Sequence, residues 1–349
     1  MSAGRDLSKI FFERTVRPII EPVLSGAGYL AGRLGSGSDV LGFDTDRSPD
    51  HDFGCRLTVL VDDGDRAQLG AIDAALASQL PDEVDGWPTR FATTWKTDVG
   101  HQVDLGTVHD FAHSRLGFDL RSTLHAAEWL CLTGQSVLEV VGGPVFHDGT
   151  VAYGEVRAKL EWYPSDIWRF ALAAGWARLG QEVPFVGRTG ELDDDAGCRI
   201  IAARLCRDIV HLAFLAERTW MPYPKWSGTA LRQLPEGELL ASQLAGVQAA
   251  ASWQERQHLL SHAIEGLADR HRRVGFEMPQ EVIKPFFDRP SIVTNDEIPA
   301  LLTRDIVDQQ ILAVPPIGTI EQWCDNVDVL ANPRRRAAAA AMYRPTRSP

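Results

Sequence analysis

Residues 37–52 read Gly37-Ser-Asp-Val-Leu-Gly-Phe-Asp-Thr-Asp-Arg-Ser-Pro-Asp-His-Asp52, a Gly-Ser turn followed at short range by an Asp-x-Asp pair. The run before it, Tyr29-Leu-Ala-Gly-Arg-Leu34, is short, partly apolar and bounded by glycines, which predicts a strand entering a Gly-rich turn. Such a turn offers backbone N–H groups with no Cβ in the way, the cradle that a phosphate chain needs. On a strand, Asp50 and Asp52 would put both carboxylates on one face, roughly 7 Å apart. Past them, Arg56-Leu-Thr-Val-Leu-Val61 is β-branched and apolar and predicts a central strand with the acidic pair near its leading end.

Hard oxygen ligands of this kind suit Mg²⁺, which keeps several waters and shares its other positions with substrate phosphates. A third acid on a neighbouring strand completes a two-metal site, with ions about 3.5–4 Å apart. Asp104, in His101-Gln-Val-Asp-Leu-Gly-Thr-Val108, is the best candidate, because Val103 and Leu105 flank it on the opposite face of the predicted strand. Asp98 is the nearest rival and precedes that alternation. The competing reading of Asp50 and Asp52 is a solvated acidic loop, to which Asp39, Asp44 and Asp46 would also belong. Ser38 has two open uses, donation to a phosphate or the capping of a helix.

Gly37-Ser38 with Gly42, then Asp50-His51-Asp52, then Asp104 resemble the signature of the DNA polymerase β type of nucleotidyltransferase superfamily. That signature is an apolar residue, Gly, and Gly or Ser, then acid-x-acid on a strand and a third acid on a later strand. His51 departs from the usual apolar residue between the two acids. Further motifs, Tyr153-Gly-Glu-Val-Arg, Trp162-Tyr-Pro, Phe185-Val-Gly-Arg-Thr-Gly and Pro222-Tyr-Pro-Lys-Trp-Ser-Gly-Thr-Ala, resemble a bacterial nucleotidyltransferase-like family, the domain of unknown function numbered 4037, from about the N-terminus to residue 330. The superfamily includes enzymes that inactivate aminoglycoside and lincosamide antibiotics.

The resemblance implies an α/β (α+β) fold, in which a polymerase-β-like domain with a small mixed sheet precedes an α-helical domain. It implies an enzyme that moves a nucleoside monophosphate, AMP from ATP first among them, to a hydroxyl of a small-molecule acceptor and releases pyrophosphate. Asp50, Asp52 and Asp104 would hold two Mg²⁺ ions, and Gly37, Ser38 and Lys225 would hold the triphosphate. Two other classes stay open: nucleotidylation of a protein or tRNA, as in a toxin, and a non-catalytic nucleotide sensor.

With 349 residues, 44% of them hydrophobic, the chain is long enough for two cores. A formal net charge of -12 argues against a long nucleic acid as partner, since such binders need a basic stripe. Cys55, Cys131, Cys198, Cys206 and Cys324 are odd in number and lack zinc spacing, so they read as reduced residues of a cytoplasmic protein. The apolar residues of the N-terminus are broken by Arg5, Lys9, Glu13 and Arg14, and no membrane span is expected.

Helical spacing is predicted from Leu7 to Leu24, interrupted by Pro18, and again over 66–80 and 120–132, with a further strand over 89–95. Long helical patterns without strands then cover 165–179, 196–219, 237–274 and 304–312. The expected division is therefore a catalytic domain at 1–145, a helical domain at 146–331 and a basic, mobile tail at 332–349.

Lys225 lies among prolines and aromatic residues, where it either meets a phosphate or packs on Trp226 or Tyr223. Arg199, Arg204 and Arg207 are expected to pair with acids along their helix. Glu155, Glu161 and Asp166 are undistinguished candidates for a general base. His109 with His113, and His258 with His262, have the i,i+4 spacing of a metal pair without the Glu of a zincin motif, and read as helix-surface residues. Gly35 to Gly37 does not extend into a dinucleotide fingerprint, since Val40 stands where the third glycine would be.

Overall fold

The computed structural model describes residues 3–45, 48, 53–94 and 97–344. Their contacts separate Met1–Leu124 with Gln135–Glu161 from His125–Gly134 with Trp162–Pro349. The expected boundary at 145 thus falls inside the first unit, which runs to Glu161 and cedes ten residues, His125–Gly134, to the second.

The first unit opens with α1 (Ala3–Phe11) and α2 (Arg17–Leu24), joined by a single wide turn at Phe12–Val16. The predicted interruption at Pro18 takes this form because Pro18 donates no N–H and crowds the carbonyl one turn back, which a π turn relieves without ending the helix. Next come β1 (Tyr29–Gly32), the short α3 (Ser38–Leu41), β2 (Arg56–Val61), α4 (Leu69–Gln79), the small β3 (Glu83–Val84) and β4 (Trp87–Pro88), β5 (Arg90–Phe91) and β6 (Gly100–Thr107). After α5 (Val108–Leu116), α6 (Ala126–Leu130) belongs to the second unit. The first then resumes with most of α7 (Gly134–Val141), β7 (Val145–Asp148) and α8 (Ala152–Lys159). The expected strand over 89–95 shrinks to β5, and the helix over 120–132 to α6.

Five strands form one mixed sheet in the order β5-β6-β2-β1-β7, with β2 parallel to β6 and antiparallel to β1. The period of two in β2 sets its faces. Leu57, Val59 and Val61 join Tyr29, Ala31 and Val103 in a buried core with Phe11, Phe12, Val16 and Ile20 of the N-terminal helical segment and Ile72 and Leu76 of α4. Each such fully buried side chain contributes roughly 1.5–3 kcal/mol relative to exposure. Residues 58 and 104, one step out of phase, point to the other face.

The second unit is helical apart from a hairpin of β8 (Ile283–Pro285) and β9 (Ile292–Thr294), which the sequence pattern did not announce. Its main helices are α9 (Ser165–Glu182), α10 (Pro184–Gly190), α11 (Asp195–Ala216), α12 (Pro224–Leu231), α13 (Gly237–Ala249) and α14 (Trp253–Arg273). The single long pattern predicted over 237–274 is two helices, because Ser252 caps α14 by accepting from the Glu255 N–H (3.2 Å). At its centre Trp176 donates to His271 Nε2 (3.3 Å) while His271 Nδ1 donates to the Leu267 carbonyl (2.8 Å). Burial pushes the His271 imidazole down to about 4, so it stays neutral.

Five short helices complete the second unit: α15 (Ile298–Thr303), α16 (Gln309–Leu312), α17 (Ile320–Trp323), α18 (Val327–Leu330) and α19 (Pro333–Ala339). The helix expected over 304–312 survives only as α16. Residues 332–344 are no tail, contrary to expectation. Asn332 caps α19 with Pro333 at its start, Arg336 is buried, and the Tyr343 hydroxyl donates to the Leu130 carbonyl (3.3 Å) and accepts from Trp323 Nε1 (2.9 Å).

Among the described residues the five cysteines are free thiols and four are buried. No helix among them is long and apolar enough to cross a membrane.

Glu321, on α17, accepts from the Gly134 N–H (3.0 Å), and burial pushes its carboxyl up to about 7 against the pull of that bond, Arg336 and Arg207. The folded state therefore retains a proton that the unfolded chain releases from about 4.5 upward, and the associated stability is full below 4.5 and lost as pH rises through about 7. Glu321→Gln should thus gain stability relative to the wild type between pH 4.5 and pH 7 and hold that advantage above it, as read by urea unfolding. A gap that does not change with pH would refute this reading of the buried carboxyl.

Candidate functional site

The turn after β1 is organised by a buried ion pair. The Arg33 side chain is 2% exposed and grips Asp39 with two parallel bonds, Nε to Oδ2 at 2.7 Å and Nη2 to Oδ1 at 3.0 Å. Its remaining donors go to the turn itself, Nη1 to the Leu34 carbonyl (2.7 Å) and Nη2 to the Ser36 carbonyl (2.9 Å). A guanidinium is suited to this because its planar fork serves a carboxylate and two carbonyls at once. Gly37 sits over the pair with φ +144°, where a Cβ would lie 2.2 Å from Asp39 Oδ1 and 2.5 Å from Arg33 Nη2. Only glycine fits there.

The far end of α3 is held by Arg5, which donates to the carbonyls of Asp39 (2.8 Å) and Val40 (2.7 Å). Ser36, Gly37 and Ser38 remain half-exposed on the outer side of this scaffold. Ser38 opens α3 and its carbonyl accepts from the Phe43 N–H (2.8 Å).

Asp104 stands in the middle of β6, beside Thr58 of the parallel β2. Val103 is buried in the helix-covered core, so Asp104 faces the other way, and the Thr58 hydroxyl on that face donates to the Leu34 carbonyl (3.4 Å) at the entrance to the turn. Arg115 of α5 connects the two. Its guanidinium lies 3.9 Å from Asp104 Oδ2 and 3.8 Å from Glu139 Oε2, and stacks 5.1 Å from the Phe111 ring centroid. A Cβ on Gly35 would be 3.3 Å from Arg115 Nη2, and the Gly35 N–H donates to the Glu139 carbonyl (2.7 Å). The turn, Asp104 and Arg115 thus form one neighbourhood.

Of the six residues singled out by sequence, Gly37, Ser38 and Asp104 come together in this way. Asp50 and Asp52 lie outside the described residues. Lys225 is in the second unit, exposed at the start of α12, with Nζ 4.9 Å from the Trp226 ring centroid, the cation–π alternative noted above. Arg199 pairs with Asp195 (2.7 Å) on its own helix as expected, whereas Arg204 reaches Glu182 at the end of α9 (2.7 Å) and Arg207 lies beside the buried Asp208 (3.6 Å). Asp166 accepts on Oδ2 from the N–H groups of Val307 (3.0 Å) and Asp308 (2.9 Å) of the second unit, while Glu155 and Glu161 are exposed.

Sequence reasoning missed Arg5, Arg33, Asp39, Arg115 and Glu139. An arginine closing an apolar run, with an acid six residues on, was a usable signal for the Arg33 pair. Arg115 and Glu139 carried none, since only the packing of α5 and α7 brings them to the turn.

Residues 129–227 match a family described as a domain of unknown function (DUF4037). That stretch contains the Tyr153, Trp162 and Phe185 motifs, Lys225 and the first part of the Pro222 motif, and it begins after the turn and Asp104. No curated protein matches. Among solved structures, a nucleotidyltransferase-like protein from Exiguobacterium sibiricum 255-15 is similar over 76% of this chain and 78% of that one, at 11% identity and a TM-score of 0.33, too low to carry an argument.

Breaking the Arg33–Asp39 pair leaves a guanidinium buried without its carboxylate. Asp39→Asn should cost about 3 kcal/mol or more in chemical denaturation, and Gly37→Ala should also destabilise, through the clash with the same pair. Wild-type stability in both variants would show that the turn does not depend on it.

Proposed function

We propose that the first unit is a nucleotidyltransferase site, in which the Gly35–Ser38 turn receives the triphosphate of a nucleotide, ATP foremost, beside Asp104. The observation that carries this reading is the joining, through Thr58 and Arg115, of a half-exposed Gly-Ser turn after β1 to a carboxylate on β6, two strands away in the same sheet.

The donors suit the group expected there. Asp104 is a hard oxygen ligand with 36% of its side chain exposed, on a sheet face rather than in the core, as Mg²⁺ with its retained waters requires. Asp50 and Asp52 would be its companions by sequence. When bound, Mg²⁺ neutralises phosphate charge and lowers the pKa of the acceptor hydroxyl. The chain's own residues do the rest. The N–H groups of Gly37 and Ser38 bind and orient the phosphates, because the Arg33–Asp39 pair fixes the turn before the ligand arrives. Arg115 sets the direction of the Asp104 carboxylate and adds positive charge near the phosphates.

In the reaction the acceptor oxygen forms a bond to the α-phosphorus as the bond to pyrophosphate breaks, and the hydroxyl proton leaves to a base among Glu155, Glu161 or solvent. A small hydroxyl-bearing acceptor agrees with the acidic net charge of -12 better than a long nucleic acid.

The test is release of labelled pyrophosphate from each of the four nucleoside triphosphates with Mg²⁺, in the presence of pooled metabolites and aminoglycosides. Release that depends on an acceptor and falls about a hundredfold or more in Asp104→Asn and Asp52→Ala is expected. Turnover retained in Asp104→Asn would remove that residue from the site. Silence in the wild type with triphosphate binding intact would favour a macromolecular acceptor or a sensor.

A further inference from the structure

Two histidine pairs have i,i+4 spacing, and they end in different surroundings. His109 turns Nδ1 toward Asp63 Oδ2 (3.2 Å). His258 and His262, both exposed on α14, turn toward each other, with Nε2 atoms 3.2 Å apart, ring centroids 4.4 Å apart and ring planes at 81°. The other nitrogen of His262, Nδ1, lies 3.4 Å from Glu265 Oε2 one turn further on. A carboxylate in that position holds the imidazole proton on Nδ1 and leaves the lone pair on Nε2.

The separation of the two Nε2 atoms is itself informative. Two bonds of about 2.0–2.1 Å to one ion at the tetrahedral angle span about 3.3 Å between the nitrogens. The backbone of an uninterrupted helix already brings the two nitrogens to that span, so an ion could enter by turning the two rings, now T-shaped to each other, without moving the chain. The geometry points to a two-histidine site for a borderline divalent transition metal, Zn²⁺ being the reference ion, held by His258 and His262 and oriented by Glu265.

Without the ion, one Nε2–H donates to the other Nε2. With it, His258 carries its proton on Nδ1 and both Nε2 lone pairs face the metal, so no net proton is released. Among the described residues no third His, Cys, Asp or Glu joins such a group of ligands, so water would fill the remaining positions. Imidazole nitrogens select Zn²⁺, Cu²⁺ or Ni²⁺ over Mg²⁺, which separates this site chemically from the carboxylates of the first unit.

Zinc titration of the full chain tests the assignment, after removal of metals and in excess Mg²⁺ to occupy carboxylate sites. The wild type should take up one Zn²⁺ equivalent that both His258→Ala and His262→Ala lose, and Glu265→Gln should bind that equivalent roughly tenfold more weakly. All three side chains are exposed, so the variants should keep the wild-type circular dichroism. Equal stoichiometry and affinity in the histidine variants, or no zinc uptake by the wild type, would overturn the proposal.

Discussion

The candidate site depends on one charged pair taken out of water. Arg33 and Asp39 meet bidentately at 2.7 and 3.0 Å in the first unit, with the arginine 2% exposed. Desolvating two charges costs several kcal/mol for each, and the cost is met only where geometry is good and the remaining donors are satisfied. Here they go to the carbonyls of Leu34 and Ser36, so the pair folds the chain around itself. Gly37 is forced by the same pair. The result is a turn whose inner side is filled by a guanidinium and whose outer side keeps its backbone open.

The sheet then supplies direction. Because β2 and β6 run parallel and in register, Thr58 and Asp104 share the face away from the buried core, and the Thr58 hydroxyl reaches the first carbonyl of the turn. Arg115 serves Asp104 and Glu139 together and closes over Gly35. The second unit uses charge differently. Its arginines mostly clamp backbone or pair with acids: Arg178 bonds Asp208 (2.9 Å) and the Gln322 carbonyl (2.8 Å), which secures the segment carrying Glu321. Burial raises the Asp208 carboxyl above the usual range in spite of that partner.

Much of the fold was legible because local pattern and burial agree. The β-branched run of Arg56–Val61 and the apolar alternation around Asp104 announced β2 and β6, and the phase of Val103 against Asp104 gave the face of the acid correctly. Legibility failed where tertiary packing overrode local chemistry. The stretch Pro333–Ala339 reads as basic and low in bulky apolar residues, yet alanine propensity, the Asn332 cap and the burial of Tyr343 fix it in place. Residues 304–308 carry a helical pattern but form a turn, because Asp166 takes two of their N–H groups. In the site, turn chemistry was visible in Gly37 and Ser38, whereas Arg115 and Glu139 required the helices around them. Asp50 and Asp52 rest on sequence alone.

The most direct measurement is a crystal structure of the full chain with Mg²⁺ and a non-hydrolysable ATP analogue. The account predicts phosphate oxygens within hydrogen-bond reach of the Gly37 and Ser38 N–H groups and a metal ion bound by Asp104. A triphosphate seated elsewhere, with Asp104 carrying no metal and still turned toward Arg115, would contradict it.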